Sequence, residues 1–281
     1  MIISEGLQSR LRDKYDPDGS ALRKAQLRMT EMLVFMDKIC TKYHLRYWLD
    51  GGTLLGAVRH GGFIPWDDDT DMCMPIEDLH KLKKIMATEH LSDEFVLQTP
   101  ENDKNYLRIE WCVLRDLKSE YVQTSSRFHG GLKYRGLQVD VFPMETKVNP
   151  SFKRCSNKFL SIFVDKFIQN EKIPYKFGLR VARISRSFMA SFMIPLFRLF
   201  KDKKNKDSYV ETYGVDFMDY HKIADIYPLK RVSFEGCVFN APQNVDAYLT
   251  DLYGDWKKIP NSDEIQTHHV KIKFYDTPVG I

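Results

Sequence analysis

Cysteine is scarce in this chain of 281 residues, and what there is does not pair by spacing. Cys40, Cys73, Cys112, Cys155 and Cys237 are odd in number and far apart. That excludes a disulfide framework and a zinc-ligand spacing, and it reads as mostly buried thiols of a reducing compartment. A membrane-spanning run is lacking too: residues 187–197, the longest uncharged stretch of a basic region, are too short to cross a bilayer. The opening Met1-Ile2-Ile3 meets Ser4-Glu5 without the apolar core of a secretory signal. The expected location is therefore the cytoplasm, with the inner face of the membrane as a variant of it. No recognised nucleic-acid motif occurs, nor aromatics spaced as base platforms, so the formal charge of +4 does not indicate a nucleic-acid partner.

That charge is local. Residues 153–206 hold 14 Lys or Arg against three acids, a net of +11, which leaves −7 for the remainder. Within this segment Ile162, Phe163, Phe167 and Ile168 suggest one helix and residues 179–200 another. The segment reads as a plain helical subdomain, an acceptor-binding element or a membrane-surface element, with Phe188, Phe192 and Phe197 as apolar contacts if they face outward. Upstream, Ser20 can cap a helix in which Leu22, Ala25, Met29, Leu33, Met36 and Tyr43 recur at helical spacing. Residues 76–90 read as an amphipathic helix, and residues 245–253 as a helix closed by Gly254. Strands are expected at 46–49, 95–98, 109–115, 136–142, 223–227 and 232–239, while 209–213 reads as a helix end. Arg108 and Arg115 are minor phosphate or substrate candidates beside a larger expectation of surface salt bridging. His268-His269 is a doublet with no evident metal partners.

The unusual chemistry lies in residues 48–72. Gly51-Gly52 reads as a tight turn from a short strand into a helix beginning near Thr53, with glycine letting backbone N–H groups approach an anion. Thr53 is a candidate N-cap or phosphate ligand, and Arg59 a candidate phosphate clamp. The stretch closes on Asp67-Asp68-Asp69-Thr70-Asp71. On a strand, Asp69 and Asp71 would project from one face, and like charges held so close ask for a divalent cation. A helix-loop-helix calcium site would need glycine at the sixth position and glutamate at the twelfth, where this chain has Met72 and Asp78. A carboxylate pair holding Mg²⁺ or Mn²⁺ against a nucleotide phosphate remains. Asp140, an acid inside the apolar Val139-Asp140-Val141-Phe142-Pro143, needs compensation from a lysine or from the same metal site.

The run from Gly51 through Arg59-His60-Gly61-Gly62-Phe63-Ile64-Pro65-Trp66 to Asp71, with Gly136-Leu137-Gln138-Val139-Asp140 further on, resembles the signature of the LicD and fukutin-related proteins. These are a branch of the nucleotidyltransferase-fold superfamily. The likeness is densest over residues 22–144 and returns at 234–260, as Phe234-Glu235-Gly236 and Tyr253-Gly254-Asp255-Trp256. It implies an α+β fold, a nucleotidyltransferase-like mixed β-sheet with packed helices and a basic helical insertion. The corresponding division is a catalytic core at 1–150, the insertion at 151–208 and a completing part at 209–281. It further implies that Asp69, Asp71 and Asp140 hold Mg²⁺ or Mn²⁺ and carry catalysis. Gly51, Gly52, Thr53, Arg59 and Glu235 would face the donor, with Tyr253 and Asp255 behind them.

The activity so implied is transfer of a phosphoalcohol, phosphocholine from CDP-choline first and ribitol phosphate from CDP-ribitol in other branches. The acceptor would be a hydroxyl on a cell-surface glycan or its lipid-linked precursor, with peripheral membrane contact as a corollary. Two rivals stand beside it. A metal-dependent glycosyltransferase also uses Asp-x-Asp, but after a longer nucleotide-binding unit than the 66 residues before Asp67 provide. A non-catalytic glycan-binding or regulatory protein would require the carboxylates not to converge. Choline selectivity would need an aromatic cage, for which Trp48, Trp66, Trp111, Tyr106 and Tyr134 are available.

Overall fold

The computed structural model describes residues 3–122, 127–260, 265 and 271–279, so the His268-His269 doublet lies outside the described residues. In chain order the elements are α1 (Glu5–Tyr15), α2 (Ala21–Lys42), β1 (Trp48–Leu49), α3 (Gly51–Arg59), β2 (Asp71–Pro75), α4 (Ile76–Thr88), β3 (Phe95–Gln98), β4 (Cys112–Asp116), β5 (Ser119–Val122) and α5 (Arg127–Gly130). There follow β6 (Gln138–Thr146), α6 (Pro150–Leu160), α7 (Phe167–Gln169), α8 (Tyr175–Phe188), α9 (Ile194–Phe197), β7 (Ser208–Glu211), β8 (His221–Lys222), α10 (Ile223–Ile226), β9 (Lys230–Phe234), β10 (Cys237–Ala241), α11 (Val245–Tyr253) and β11 (Lys271–Phe274). The architecture is α+β with a mixed sheet.

The main sheet runs β1-β2-β6-β4-β3, with β7 and β8 continuing from β6. β2 and β6 pair in parallel; the other pairings of this sheet are antiparallel. β6 is its axis, pairing with β4 along Gln138–Val141 and with β7 along Met144–Thr146. The helical segment leaves the sheet after β6 and returns to it through β7, so it is an insertion between neighbouring strands. It continues from α6 to α7 through a wider π-helical turn, Ser161–Lys166, and from α8 to α9 through another, Met189–Met193.

Helix α2 forms where the apolar spacing places it. The Ser20 hydroxyl accepts the Arg23 N–H at 3.1 Å, and Ala25, Met29, Met32, Leu33, Met36 and Cys40 are buried along one stripe. That stripe joins Trp48, Leu54, Met72, Met74, Val139, Val141 and Tyr248 in one core. The C-terminal elements contribute to it as directly as the N-terminal ones, through Phe234, Phe239 and Leu249. The insertion has smaller clusters of its own, Met189, Ile194 and Phe197 with Val210 and Tyr213, and Val164, Ile168, Leu179 and Ala182 with Leu107. Cys40, Cys73 and Cys112 are buried free thiols.

Three expectations change. The polar lead contains a helix, α1, with no buried residue, held by its Ser4 cap and by Gln8 against His60 Nδ1 at 2.6 Å. Residues 208–211 form a strand where a helix end was expected, because β6 runs on past Pro143 and leaves an edge to be paired. Residues 223–226 form one helical turn in place of a strand.

Candidate active site

The site is assembled where β1 hands over to α3. Trp48 lies opposite Cys73 and Leu49 opposite Met72, and the Asp50 N–H extends that ladder to the Asp71 carbonyl at 3.2 Å. The start of α3 therefore lies over the start of β2. Helix α3 begins at Gly51, ahead of the expected start, and the residue before it is Asp50. The Asp50 carboxylate makes no cap; it accepts from the Tyr248 hydroxyl at 2.7 Å. Thr53 is not the N-cap either. Its buried hydroxyl accepts the Asp71 backbone N–H at 2.8 Å and fastens α3 to β2.

Asp71 and Asp140 are direct partners in the parallel β2–β6 register, so their side chains leave the sheet on one face. The Asp140 N–H also donates to the Thr70 carbonyl at 2.8 Å. The strand begins at Asp71, and Asp69 sits in the extended approach to it. The charge of Asp69 nevertheless acts on Asp67, Asp71 and Asp140 alike. Before it, the turn at Pro65-Trp66, closed by the Asp67 N–H on the Ile64 carbonyl at 2.9 Å, curls the chain back. As a result Asp67, Asp68 and Asp69 each offer a carboxylate oxygen within 4.8 Å of the others. Asp68 is tied down by the Tyr121 hydroxyl. Asp69 thus belongs both to this trio and to the group around Asp71 and Asp140.

The glycine doublet makes room for these acids. A Cβ on Gly51 would stand 2.8 Å from Asp71 Oδ2, and one on Gly52 would stand 2.7 Å from Asp67 Oδ2. Gly51 also has φ +52°, which side chains disfavour. The carboxylates can close on the N-terminus of α3, whose free N–H groups and dipole favour negative charge. Burial, then the neighbouring carboxylates, raise Asp67 and Asp71 well above the ordinary range, and every leading influence on Asp71 is in that direction. Asp140 is pushed up to about 7, chiefly by burial, with Arg115 opposing and Asp69 adding. A crowded set of hard carboxylate oxygens suits Mg²⁺ or Mn²⁺ rather than a softer ion.

Among the described residues no lysine pairs with Asp140. Trp111 Nε1 donates to Oδ1 at 2.9 Å and Gln138 Nε2 to Oδ2 at 2.8 Å. Arg115 is buried, not a surface ion pair. It donates to Gln98 Oε1 at 2.8 Å and Gln138 Oε1 at 2.7 Å, and so orients Asp140 through Gln138. Beside Asp140 opens a cavity of about 310 Å³ whose lining includes Tyr106, Arg108, Trp111, Gln138, Asp165 and Gln169.

Two expected donor contacts point elsewhere. Arg59 is buried with its guanidinium on the carbonyls of Trp256 and Lys258, at 2.9 and 3.0 Å, and on His60 Nε2 at 3.0 Å. It anchors the C-terminal segment and is no phosphate clamp here. Glu235 sits in the two-residue β9–β10 turn, with φ +50° followed by Gly236 at +76°, the signature of a type I′ hairpin. From there its carboxylate takes Arg23 Nη2 at 2.6 Å and the Phe63 N–H at 2.9 Å, and it occupies the space a Cβ on Gly62 would need. Its contacts shape the loop before the acids. Tyr253 is half-exposed, and the charges of Asp50, Asp71, Asp67 and Asp69 raise its hydroxyl further after burial.

Of the five aromatic candidates, Tyr106 and Trp111 line the cavity beside Asp140, and Trp48, Trp66 and Tyr134 are not part of that lining. Trp48 is buried and donates to the Tyr248 hydroxyl at 3.0 Å, and Trp66 packs edge-on against Tyr15. Trp111 lies between the Arg108 guanidinium, 4.6 Å from its ring, and Phe142 at 4.8 Å. Tyr106 is buried and donates to the Trp111 carbonyl at 3.1 Å, and Tyr134 carries Lys133 over its ring. The residues that sequence reasoning passed over are Asp67, Asp50 with Tyr248, and the Trp111–Gln138–Arg115 support of Asp140. Only Asp67 left a signal, as the first acid of the run.

Residues 44–157 match the family model described as LicD/FKTN/FKRP, nucleotidyltransferase domain. The chain carries a LicD-family domain. Around it, 89% of the chain is 25% identical to 96% of the length of lipopolysaccharide cholinephosphotransferase LicD of Haemophilus influenzae. An uncharacterised protein of Rickettsia prowazekii is 41% identical over 42% of this chain and 50% of its own length. A short stretch, 16% of this chain and 9% of the relative, is 49% identical to ribitol 5-phosphate transferase FKRP of Homo sapiens. These relatives are transferases by name where they are named for an activity. The LicD domain contains all the clustered acids, whereas Arg23, Glu235 and Tyr248, which brace them, lie outside it.

Proposed function

We propose that this chain is a metal-dependent phosphoalcohol transferase, moving phosphocholine from CDP-choline, or a related alcohol phosphate, onto a hydroxyl of a cell-surface glycan or its precursor. The observation that carries the reading is the opposition of Asp71 and Asp140 at the start of a glycine-led helix. It occurs in a chain similar along nearly all its length to a lipopolysaccharide cholinephosphotransferase. Asp69, Asp71 and Asp140, with Asp67, are the residues that would hold Mg²⁺ or Mn²⁺, and a bound divalent ion would neutralise charge on the transferred phosphoryl group and the departing nucleotide. The N–H groups of the first turn of α3 suit the donor phosphates. An acceptor hydroxyl entering by the cavity beside Asp140 attacks phosphorus and the bond to cytidine monophosphate breaks; as the alternative to holding an ion, the Asp140 carboxylate takes the hydroxyl proton. Trp111 and Gln138 keep that carboxylate from turning away.

One observation favours a second donor. With Arg108 over Trp111, the cavity beside Asp140 offers a cation where a trimethylammonium group would want an open ring face. The uncharged polyol of a ribitol phosphate group meets no such repulsion.

The test is a donor screen read by mass spectrometry, with Mg²⁺, comparing CDP-choline and CDP-ribitol with sugar nucleotides, on the parent and Asp71→Asn. The expected result is release of cytidine monophosphate from a CDP-alcohol by the parent only, with Mn²⁺ binding by calorimetry lost in a folded Asp71→Asn. Turnover of sugar nucleotides alone would establish the glycosyltransferase. Neither turnover nor metal binding in the parent would leave the non-catalytic reading.

A further inference from the structure

The inserted helices have an outer face that a water-exposed helix does not ordinarily have. From α8 through the π-helical turn into α9, one stripe is buried: Leu179, Ala182, Met189, Ile194 and Phe197. Phe197 therefore faces inward, where it stacks on Phe152 at 4.7 Å, and supplies no outer contact. A single buried stripe would leave the opposite face polar. Instead Phe177, Ile184, Phe188, Phe192, Leu196 and Leu199 stand out at helical intervals, between 41% and 74% exposed. Of the fourteen large hydrophobic side chains exposed among the described residues, eight fall between residues 163 and 200. Part of this face is contiguous across helices. Phe188 lies 5.7 Å from Phe192 and 6.5 Å from Phe159, and Phe159 lies 4.7 Å from Phe163.

Charge surrounds this patch. Lys158, Lys166, Lys172, Lys176, Arg180 and Arg183 are exposed on α6 to α8 and the turns between them, and Lys201, Lys203 and Lys204 follow just beyond α9. Exposed phenylalanine and leucine rimmed by lysine and arginine is the composition of an interfacial helix. The rings enter the boundary between headgroups and acyl chains, and the cations stay among anionic headgroups. A second copy of the chain is a poor fit to the same face, since a symmetric pair would bring two segments of +11 together. No helix among the described residues is long and apolar enough to cross a membrane, so contact would be with one leaflet.

We propose that the outer face of α8 and α9 docks on an anionic lipid bilayer, with Ile184, Phe188, Phe192 and Leu196 inserted and the surrounding lysines and arginines on the headgroups. The surface lies on the insertion, apart from the acid cluster on β2 and β6, and does not depend on what the site transfers.

The test is co-sedimentation of the full chain with vesicles of phosphatidylcholine alone, or of phosphatidylcholine mixed with phosphatidylglycerol, at low and high salt. Two variants run alongside: Phe188→Ser with Phe192→Ser, and Lys176→Glu with Arg180→Glu. All four positions are exposed, so the fold should persist, which circular dichroism and the melting temperature check. The expected result is binding to the anionic vesicles only, weakened by salt. Partition should fall at least roughly tenfold on losing the two rings and should be abolished by charge reversal. No binding to anionic vesicles at low salt, equal binding by the ring variant, or concentration-dependent dimerisation that the ring variant abolishes would overturn the proposal.

Discussion

Gly52→Ala separates the stability of the site from its use. Gly52 lies in the first turn of α3 at an ordinary helical φ, so alanine suits its backbone and should add up to about 0.5–1 kcal/mol of helix propensity. For a chain of this size that corresponds to a melting temperature higher by about 1–4 °C. The new Cβ, however, would lie 2.7 Å from Asp67 Oδ2. Restoring an ordinary contact of about 3.4 Å moves that carboxylate by about 0.7 Å, and misplacement on this scale costs about tenfold to a hundredfold in turnover. The assay pairs calorimetric Mn²⁺ titration and kcat/KM with a thermal melt. Weaker Mn²⁺ binding and lower kcat/KM at an unchanged or higher melting temperature are expected. Gly51→Ala is the contrast, since its φ of +52° adds about 1–2 kcal/mol of strain, so both stability and activity should drop. Parent-like metal affinity and turnover in Gly52→Ala would refute the argument that the doublet exists to admit the acids.

Two further predictions follow from the corrections and from the buried charges. Arg59→Met leaves the Trp256 and Lys258 carbonyls without their donor. At about 1–3 kcal/mol for a buried group so orphaned, the melting temperature should fall by several degrees with donor KM unaltered, and a raised KM at constant stability would restore a clamp. Asp16 is buried, and its acidity is shifted to about 7 by burial, with Arg12 opposing. The folded state thus holds this proton more tightly than the unfolded one, and the stability it confers is full below about 4 and lost as pH rises to about 7. Asp16→Asn removes that loss, so its margin in melting temperature over the parent should open between those values and level above them; a margin independent of pH would contradict the assignment.

What could be read before folding is what depends on neighbours in sequence. Ser20 and the apolar spacing after it specify α2, and Gly254 ends α11 because the chain there needs φ +63°. The acids before β2 and within β6 were visible because they interrupt apolar strands. Helix α1 was passed over because its apolar stripe is only Leu7, Leu11 and Tyr15, none of them fully buried. On a helix of nine residues the face that Arg59 presents is decided by what packs on α3, and that is Trp256, some 197 positions away. Glu235 is 212 positions from Arg23. Asp67 reaches Gly52 only because Pro65-Trp66 turn the chain before the strand begins, and alternation along a strand says nothing about residues that precede it.

The bridge from Arg23 to Glu235 has a consequence for how this protein can be cut and compared. The region that the family model matches, residues 44–157, contains every clustered acid but is not a folding unit. Helix α2, the hairpin of β9 and β10 and helix α11 each contribute fully buried side chains to its core. A fragment trimmed to the recognised region would expose the apolar faces of its own sheet and leave Gly62-Phe63 without the carboxylate that shapes them. The stretch that the family model matches and the body that folds have different borders here, and the loop carrying the acids takes its shape from residues beyond the first border.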